Sequence, residues 1–97
     1  MAIARVFDGK GWTAEQYDAL MVRLVDRMHL QPGRPAPGVL FHWAASTQDG
    51  VRAVDVYESR EAADQLAQTE IGPIAADLGM PMPQITEYEV HSYLSPS

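Results

Sequence analysis

Short segments in which apolar and polar residues alternate occur at four places along the chain and indicate β-strands. Alternation with a period of two places successive side chains on opposite faces of a sheet. The predicted strands are Ala2–Phe7, Val39–Ala45, Val51–Tyr57 and Gln84–Leu94. Each is bounded by turn or loop residues such as Asp49-Gly50, which end a strand.

A longer segment after the first strand has the spacing of an amphipathic helix. Apolar side chains recur every three or four residues from Tyr17 to Met28, which places them on one helical face. Thr13 and Gln16 have the spacing of a capping box, in which each side chain bonds the other's backbone amide. A first helix is therefore predicted after Thr13, with His29 at its end.

A second helix is predicted after the third strand. Ser59 is a suitable N-cap, and a thin stripe of alanines with Leu66 follows it. Gly72-Pro73 predicts a break or kink, because proline lacks the amide hydrogen that a helix needs. Pro73 also suits the first turn of a further short helix that ends at Gly79.

The predicted order of elements is β-α-β-β-α-β, which is typical of one fold class. It is the split βαβ arrangement, an α+β ferredoxin-like fold with a four-stranded antiparallel sheet of strand order 4-1-3-2. Both helices are expected on one face of that sheet, so the other face must be solvated or covered by a partner. The 97 residues are enough for one domain, 1–97, and too few for two.

Composition and charge argue against several functional classes. The net charge is −6 with only seven Lys and Arg residues, so no nucleic-acid surface is expected. The chain has no cysteine, which removes disulfides and thiolate chemistry and favours a cytoplasmic location. No signal-peptide pattern follows Met1, and no apolar run is long enough to span a membrane.

Four segments resemble the dimeric α+β barrel superfamily, in particular small bacterial proteins of the antibiotic biosynthesis monooxygenase-like group. They are Gly38–His42, Val54–Ala62, Ile71–Pro73 and Tyr88–His91. The resemblance implies that two chains pair their open sheet faces into a homodimeric barrel, with a ligand pocket between sheet and helices or inside the barrel. Members of the superfamily include cofactor-independent oxygenases, haem degraders, polyketide cyclases and isomerases.

One departure from the family pattern limits what the resemblance implies. The chain contains no asparagine, whereas the quinol-oxidising and haem-degrading branches typically use an asparagine in the pocket. Those two activities are therefore not implied for this chain.

Polar side chains inside the predicted strands are the candidates for chemistry. His42, Asp55, Tyr57, Glu89 and His91 are predicted on the face opposite the apolar one, where they would line a partly polar cavity. We predict His42 as a general base, with Asp55 as its orienting or charge partner. His91 and Tyr57 would donate hydrogen bonds to a substrate oxygen, and Glu89 would contact the substrate.

Each of these residues also has a purely structural interpretation. The two histidines can be satisfied by hydrogen bonds at the rim or at the dimer interface, and Tyr57 can be ordinary aromatic packing. Asp55 on a covered face needs a partner, because burying a lone carboxylate costs several kcal/mol. Arg5, Arg52 or a histidine can supply that partner, either inside the chain or across an interface.

The wall of the pocket is predicted to be apolar. Phe41 and Trp43 are expected under the helices, with Tyr17 and Met21 packed against them, a lining that suits a flat hydrophobic or aromatic ligand. The loop Gln31–Gly38 contains three prolines and is therefore stiff. It is expected either to form a fixed rim at the pocket mouth or to be a plain surface connector.

A metal or phosphate site is not favoured. His42, His91 and a carboxylate could form a facial ligand set, but no helical or short-loop spacing marks a dedicated metal site. The chain has no glycine-rich phosphate loop and no Gly-x-Ser-x-Gly elbow. No metal and no cofactor are predicted.

Two functional hypotheses remain open at this point. The leading one is a homodimeric barrel that binds a hydrophobic or aromatic small molecule, as a cofactor-independent monooxygenase, cyclase or isomerase does. The alternative is a non-catalytic ligand-binding or interaction module whose polar residues stabilise the dimer. An enzyme requires an open pocket with His42 directed into it.

Overall fold

A four-stranded antiparallel sheet carries the helices of this protein on one of its faces. In the computed structural model, which describes residues 1–93, the strands are β1 (Ile3–Lys10), β2 (Val39–Thr47), β3 (Gly50–Tyr57) and β4 (Gln84–Glu89). Their order across the sheet is β2-β3-β1-β4, and each neighbouring pair is antiparallel. The predicted α+β ferredoxin-like fold and its strand order are confirmed.

Helix α1 (Ala14–Met28) begins and ends where its capping residues require. The backbone N–H of Gln16 donates to the Thr13 hydroxyl at 3.0 Å, and the Thr13 N–H donates to the Gln16 side chain at 3.1 Å. His29 ends the helix in the left-handed conformation, with a φ of 54°. The predicted capping box is therefore present, and it fixes the start of α1.

The second helical segment continues through Gly72-Pro73, where a break or a kink was expected. It consists of α2 (Arg60–Leu66), a wide π-helical turn (Ala67–Ile71) and α3 (Gly72–Asp77). Pro73 has no N–H, so the carbonyl of Thr69 lacks its helical donor. Arg27 of α1 supplies a donor instead, with Nη2 3.0 Å from that oxygen.

No helix within residues 1–93 has the length and apolar character needed to cross a membrane.

The strand register decides which side chains face the helices. Residues paired directly across the sheet share a face, so Ile3 and its partner Tyr57 lie on the same side. Both pack in one buried cluster with Ala63 and Leu66 of α2. A second cluster joins β3 to α1 and α3 and contains Trp12, Leu20, Leu24, Val51, Ile74 and Met80. We call this side of the sheet the helix-covered face.

The opposite side, which we call the open face, is not covered by a helix within the described residues. By the register its apolar and aromatic positions are Ala4, Val6, Phe41, Trp43, Val54, Val56 and Tyr88, and its polar positions include Asp8, Arg52, Gln84 and Thr86. Trp43 is 42% exposed and Tyr88 is 57% exposed. The open face therefore combines a group of apolar positions and two accessible aromatic side chains with the Arg52–Asp8 ion pair.

A β-bulge at Leu40 changes which residues of β2 face the helices. Val39 pairs with Tyr57, but Phe41 pairs with Val56, so Leu40 is an extra residue. An extra residue shifts all later side chains by one face. The expectation that Phe41 and Trp43 lie under the helices is therefore wrong: both are directed to the open face.

Strand β4 is shorter than the predicted Gln84–Leu94. Its last ladder pair is Glu89 with Ile3, and Ile3 is the first residue of β1. Beyond that pair, within residues 1–93, one further bond joins the two segments, from the Val90 N–H to the Ala2 carbonyl at 3.1 Å. The strand ends because its one neighbour ends, so His91 follows the strand and Leu94 lies outside the described residues.

We expect Gly9→Ala to destabilise the protein because Trp12 packs directly on this glycine. A Cβ atom at position 9 would lie 2.1 Å from Trp12 Cδ2, and the indole is tied down by a 2.6 Å bond from Nε1 to the Pro81 carbonyl. Overpacking of this kind costs about 1–3 kcal/mol. Urea unfolding measures the loss. In a Trp12→Ala background the same substitution should cost much less, and an equal cost would contradict the steric explanation.

Candidate functional site

A cleft of about 460 Å³ lies between α1, the loop after it and the first half of β2. Its size is within the range typical of small-molecule sites. Most of its lining is apolar and comes from Met21, Leu24, Val25, Leu30, Pro32, Pro35, Ala36, Val39, Leu40, Phe41, Leu66 and Ile71. His42 and Asp55 form the polar part of its inner wall. The cleft therefore combines an apolar body with one acid-base pair.

His42 and Asp55 meet because they are direct partners across β2 and β3. The bulge at Leu40 puts His42 on the helix-covered face, where Asp55 is only 6% exposed. Nδ1 of His42 is hydrogen-bonded to Oδ1 of Asp55. The prediction that these side chains lie on a face opposite the apolar one is therefore wrong, because they share the face that contains the core.

Tyr57 holds the other oxygen of the carboxylate. Its hydroxyl donates to Asp55 Oδ2 at 2.7 Å, and the residue is 1% exposed. Burial, followed by the negative charge of Asp55, raises the pKa of Tyr57 far above its ordinary value, so the phenol stays protonated and donates. This hydroxyl is used inside the protein, whereas the sequence predicted it as a donor to a substrate oxygen.

Tyr17 of α1 is hydrogen-bonded to the second nitrogen of the His42 imidazole. Its hydroxyl lies 2.6 Å from His42 Nε2. Burial, followed by the charges of Asp55 and Asp18, raises the pKa of Tyr17 to about 12, so the phenol is the donor in this bond. A neutral His42 then carries its hydrogen on Nδ1, facing Asp55, and its lone pair on Nε2. The sequence predicts Tyr17 in the apolar wall of the pocket, whereas the structure places it outside the described lining of the cleft and bonded to the imidazole.

The candidate arginine partners of Asp55 are engaged elsewhere. Arg5 bonds Asp64 at 2.7 Å and Glu87 at 3.0 Å, and Arg52 bonds Asp8 at 2.6 Å. Hydrogen bonds from Arg60 and then Arg5 hold the pKa of Glu87 below its usual range. Of the three partners considered for Asp55, the histidine is the one that the structure brings to it.

The remaining predicted site residues divide into two groups. Met21 and Phe41 border the cleft, although by the register Phe41 lies on the open face, as Trp43 does. Glu89 ends β4 and His91 follows it, both exposed, at the sheet edge opposite β2. Within residues 1–93, no three side chains suited to a metal gather in one place.

The sequence missed part of the lining and anticipated another part. Residues 31–36 of the Pro/Gly-rich loop border the cleft, as the expected rim does. The sequence did not predict Val25, Leu66 and Ile71 there, because the spacing of apolar residues along a helix indicates an apolar face and does not indicate a cleft. Arg34 also borders the cleft, and no sequence pattern singles it out.

Removing the Tyr17 hydroxyl should flatten the alkaline part of the stability profile. The neutral phenol is favoured in the folded state, because its pKa is raised from 10.0 to about 12. Its contribution is therefore present below pH 10 and is lost as the pH rises towards 12. Chemical unfolding across this range should show a steeper loss for the wild type than for Tyr17→Phe. Equal slopes would contradict the half-buried Tyr17–His42 bond.

Comparison with known proteins identifies the fold. No protein-family model and no curated protein matches the sequence. A proposed antibiotic biosynthesis monooxygenase from Chloroflexus aurantiacus J-10-fl is 18% identical with a TM-score of 0.65, over 98% of each chain.

Two further solved structures agree with that match. A variant of SnoaB, a cofactor-independent oxygenase from Streptomyces nogalater, is 19% identical with a TM-score of 0.59, over 98% of this chain and 96% of its own. A proposed antibiotic biosynthesis monooxygenase from Deinococcus radiodurans is 18% identical with a TM-score of 0.54, over 100% and 99%. The chain therefore has the ferredoxin-like α+β fold of antibiotic biosynthesis monooxygenase proteins.

Proposed function

We propose that the cleft binds a hydrophobic or aromatic small molecule with an acidic hydroxyl, and that His42 removes its proton without a cofactor. The observation that carries this proposal is an imidazole in the wall of an apolar cleft, held by a buried carboxylate. A base must be fixed in position and tautomer to take a proton from a bound ligand. Asp55 supplies both, because it accepts the Nδ1 hydrogen and is itself fixed by Tyr57.

The second nitrogen of His42 is the proton acceptor in this proposal. Tyr17 donates to it in the structure, and a phenol with a pKa of about 12 gives up its proton reluctantly. A more acidic phenol or enol of the ligand replaces Tyr17 at Nε2, because the stronger acid is the better donor. Transfer of its proton leaves an electron-rich ligand anion in an apolar environment.

Such an anion is the common starting point of the reactions considered for this chain. It can react with molecular oxygen, close a ring or shift a double bond, all without a metal or an organic cofactor. Oxygenation is the favoured member of this set, because a protein with the same fold is described as a cofactor-independent oxygenase. Cyclisation and isomerisation use the same proton abstraction.

A non-catalytic binding protein is the second candidate, and one observation favours it. The hydrogen-bonding positions of His42 are already filled by Tyr17 and Asp55, as in a structural network. This candidate differs from the interaction module suggested by the sequence, because His42 and Asp55 bond within one chain on the helix-covered face. They are therefore not placed to stabilise a dimer formed through the open face.

We also propose that two copies of the chain pair through their open faces. Trp43 and Tyr88 remain 42% and 57% exposed there, beside Val54 and Val6 of the central strands. Contiguous apolar surface of this kind marks interaction sites in soluble proteins. A second copy related by a two-fold axis is the commonest partner, and it would form the barrel.

His42→Gln should abolish turnover while the fold and the cleft remain. Measuring turnover requires a substrate. Thermal-shift screening of hydroxylated two- and three-ring aromatic compounds identifies ligands, and oxygen uptake with product analysis shows which of them react. Loss of a general base lowers the rate about 10²–10⁴-fold, and Asp55→Asn should lower it as well. His91→Gln is the matched comparison, because His91 is exposed and outside the cleft, and we expect it to react normally.

The outcome for the non-catalytic candidate is different. A wild-type protein that binds aromatic compounds but converts none of them, with and without oxygen, supports a binding module. In that case His42→Gln should change thermal stability and leave binding nearly intact. A variant His42→Gln that turns over a substrate at the wild-type rate would remove His42 as the base.

Trp43→Glu should convert the protein to monomers, because it places a charge in the proposed interface. Sedimentation equilibrium should give twice the 10.7 kDa of one chain for the wild type and the single mass for the variant. Val22→Glu is the matched control, since Val22 is 68% exposed on α1 and should leave the dimer intact. A wild-type monomer at micromolar concentration would exclude the barrel.

A further inference from the structure

Arg34 lies on the rim of the cleft in a well-defined turn. Its backbone N–H donates to the Gln31 carbonyl at 3.0 Å, and Pro32 and Pro35 restrict the chain on both sides of it. Arg34 borders the cleft and its side chain is exposed. The turn therefore holds one cationic side chain at the mouth of a largely apolar site.

The other arginines are each paired with a carboxylate. The pairs are Arg5 with Asp64 and Glu87, Arg23 with Asp77, Arg27 with Glu70, Arg52 with Asp8, and Arg60 with Glu87. Within residues 1–93, Arg34 is the one arginine that has no carboxylate within ion-pair distance. The cleft offers it none, because the one acid in its lining, Asp55, is bonded to His42 and Tyr57.

The charge of the whole protein makes this position unusual. With a net charge of −6, the protein repels anions at long range, so an anionic ligand needs a local cation to bind. An arginine offers two parallel N–H donors to a carboxylate, which gives direction as well as charge. At the cleft mouth this geometry complements a ligand whose apolar body lies inside and whose anionic group lies at the entrance.

We infer that the ligand of the cleft is an aromatic acid, with a carboxylate or a similar anionic group that Arg34 binds at the mouth. The inference rests on the proposed function, because it names the class of compound that the same cleft accepts. The ligand then has two polar points. Its hydroxyl reaches His42 at the inner wall, and its anionic group remains near solvent beside Arg34.

Binding of two probes of the same shape tests this inference. The probes are 6-hydroxy-2-naphthoate and 6-hydroxy-2-naphthamide, called naphthoate and naphthamide below. They share the ring system and the hydroxyl and differ in charge, and calorimetry at low salt measures their affinities. The wild type should bind naphthoate about fivefold more tightly, the upper end for an exposed ion pair. Arg34→Gln should remove this preference and leave naphthamide binding unchanged, and Arg34→Lys should retain part of it.

Lys10→Gln is the control for net charge. Lys10 is exposed and outside the cleft, so this variant should keep the wild-type preference for naphthoate. Equal binding of both probes by the wild type, or a preference that survives in Arg34→Gln, overturns the inference while the proposed cleft remains. An equal loss in Lys10→Gln also overturns it, because the effect is then one of total charge. Failure to bind either probe overturns the proposed function and the inference with it.

Discussion

The burial of Asp55 is the constraint on which the site depends. A carboxylate among core side chains is costly unless its oxygens are hydrogen-bonded, and here each oxygen has its own donor. Tyr57 serves one oxygen and His42 serves the other. Because the bond to His42 crosses from β3 to β2, the positions of these two strands are coupled at this point. The acid therefore acts as a structural anchor and as the group that orients the imidazole.

The bulge at Leu40 is what makes this pairing possible. Without the extra residue, strict alternation would put His42 on the face opposite Val39 and would leave Asp55 without its imidazole partner. With it, Val39 remains in the core and His42 also faces the helices. The same shift moves Trp43 to the open face. One backbone irregularity therefore determines both the acid-base pair and the exposed aromatic surface.

Local signals predicted the elements well, because their causes are local. The capping box of Thr13 and the turn at Asp49-Gly50 act within a few residues, and the predicted helix and hairpin follow them. The pairing of His42 with Asp55 was also among the partners considered. Its face was mistaken, since a bulge arises from the fit of β2 to β3 and leaves no clear mark in the sequence.

The far edge of the sheet shows the same limit. The alternation from Gln84 onwards continues through His91, yet β4 can be only as long as the strand that it pairs with. The sequence pattern of one strand does not indicate how long the neighbouring strand is. For this reason the prediction placed His91 inside the strand, whereas His91 follows it. The predicted strand order already separates His91 and Glu89 from His42, and two strands do lie between β4 and β2. Arg34 was missed for a related reason, because its place depends on how a loop folds over the sheet.

The chain of hydrogen bonds from Tyr57 to Tyr17 runs from the core towards the surface of the fold. Tyr57 is 1% exposed and Asp55 is 6% exposed, whereas His42 and Tyr17 are only half-buried. A partner can be exchanged cheaply only where the group left behind can meet water or a ligand. That condition holds at Nε2 of His42 and fails at Asp55, whose loss of a donor would leave a buried charge. The network thus has one fixed end and one exchangeable end, and the exchangeable end belongs to the imidazole in the wall of the cleft.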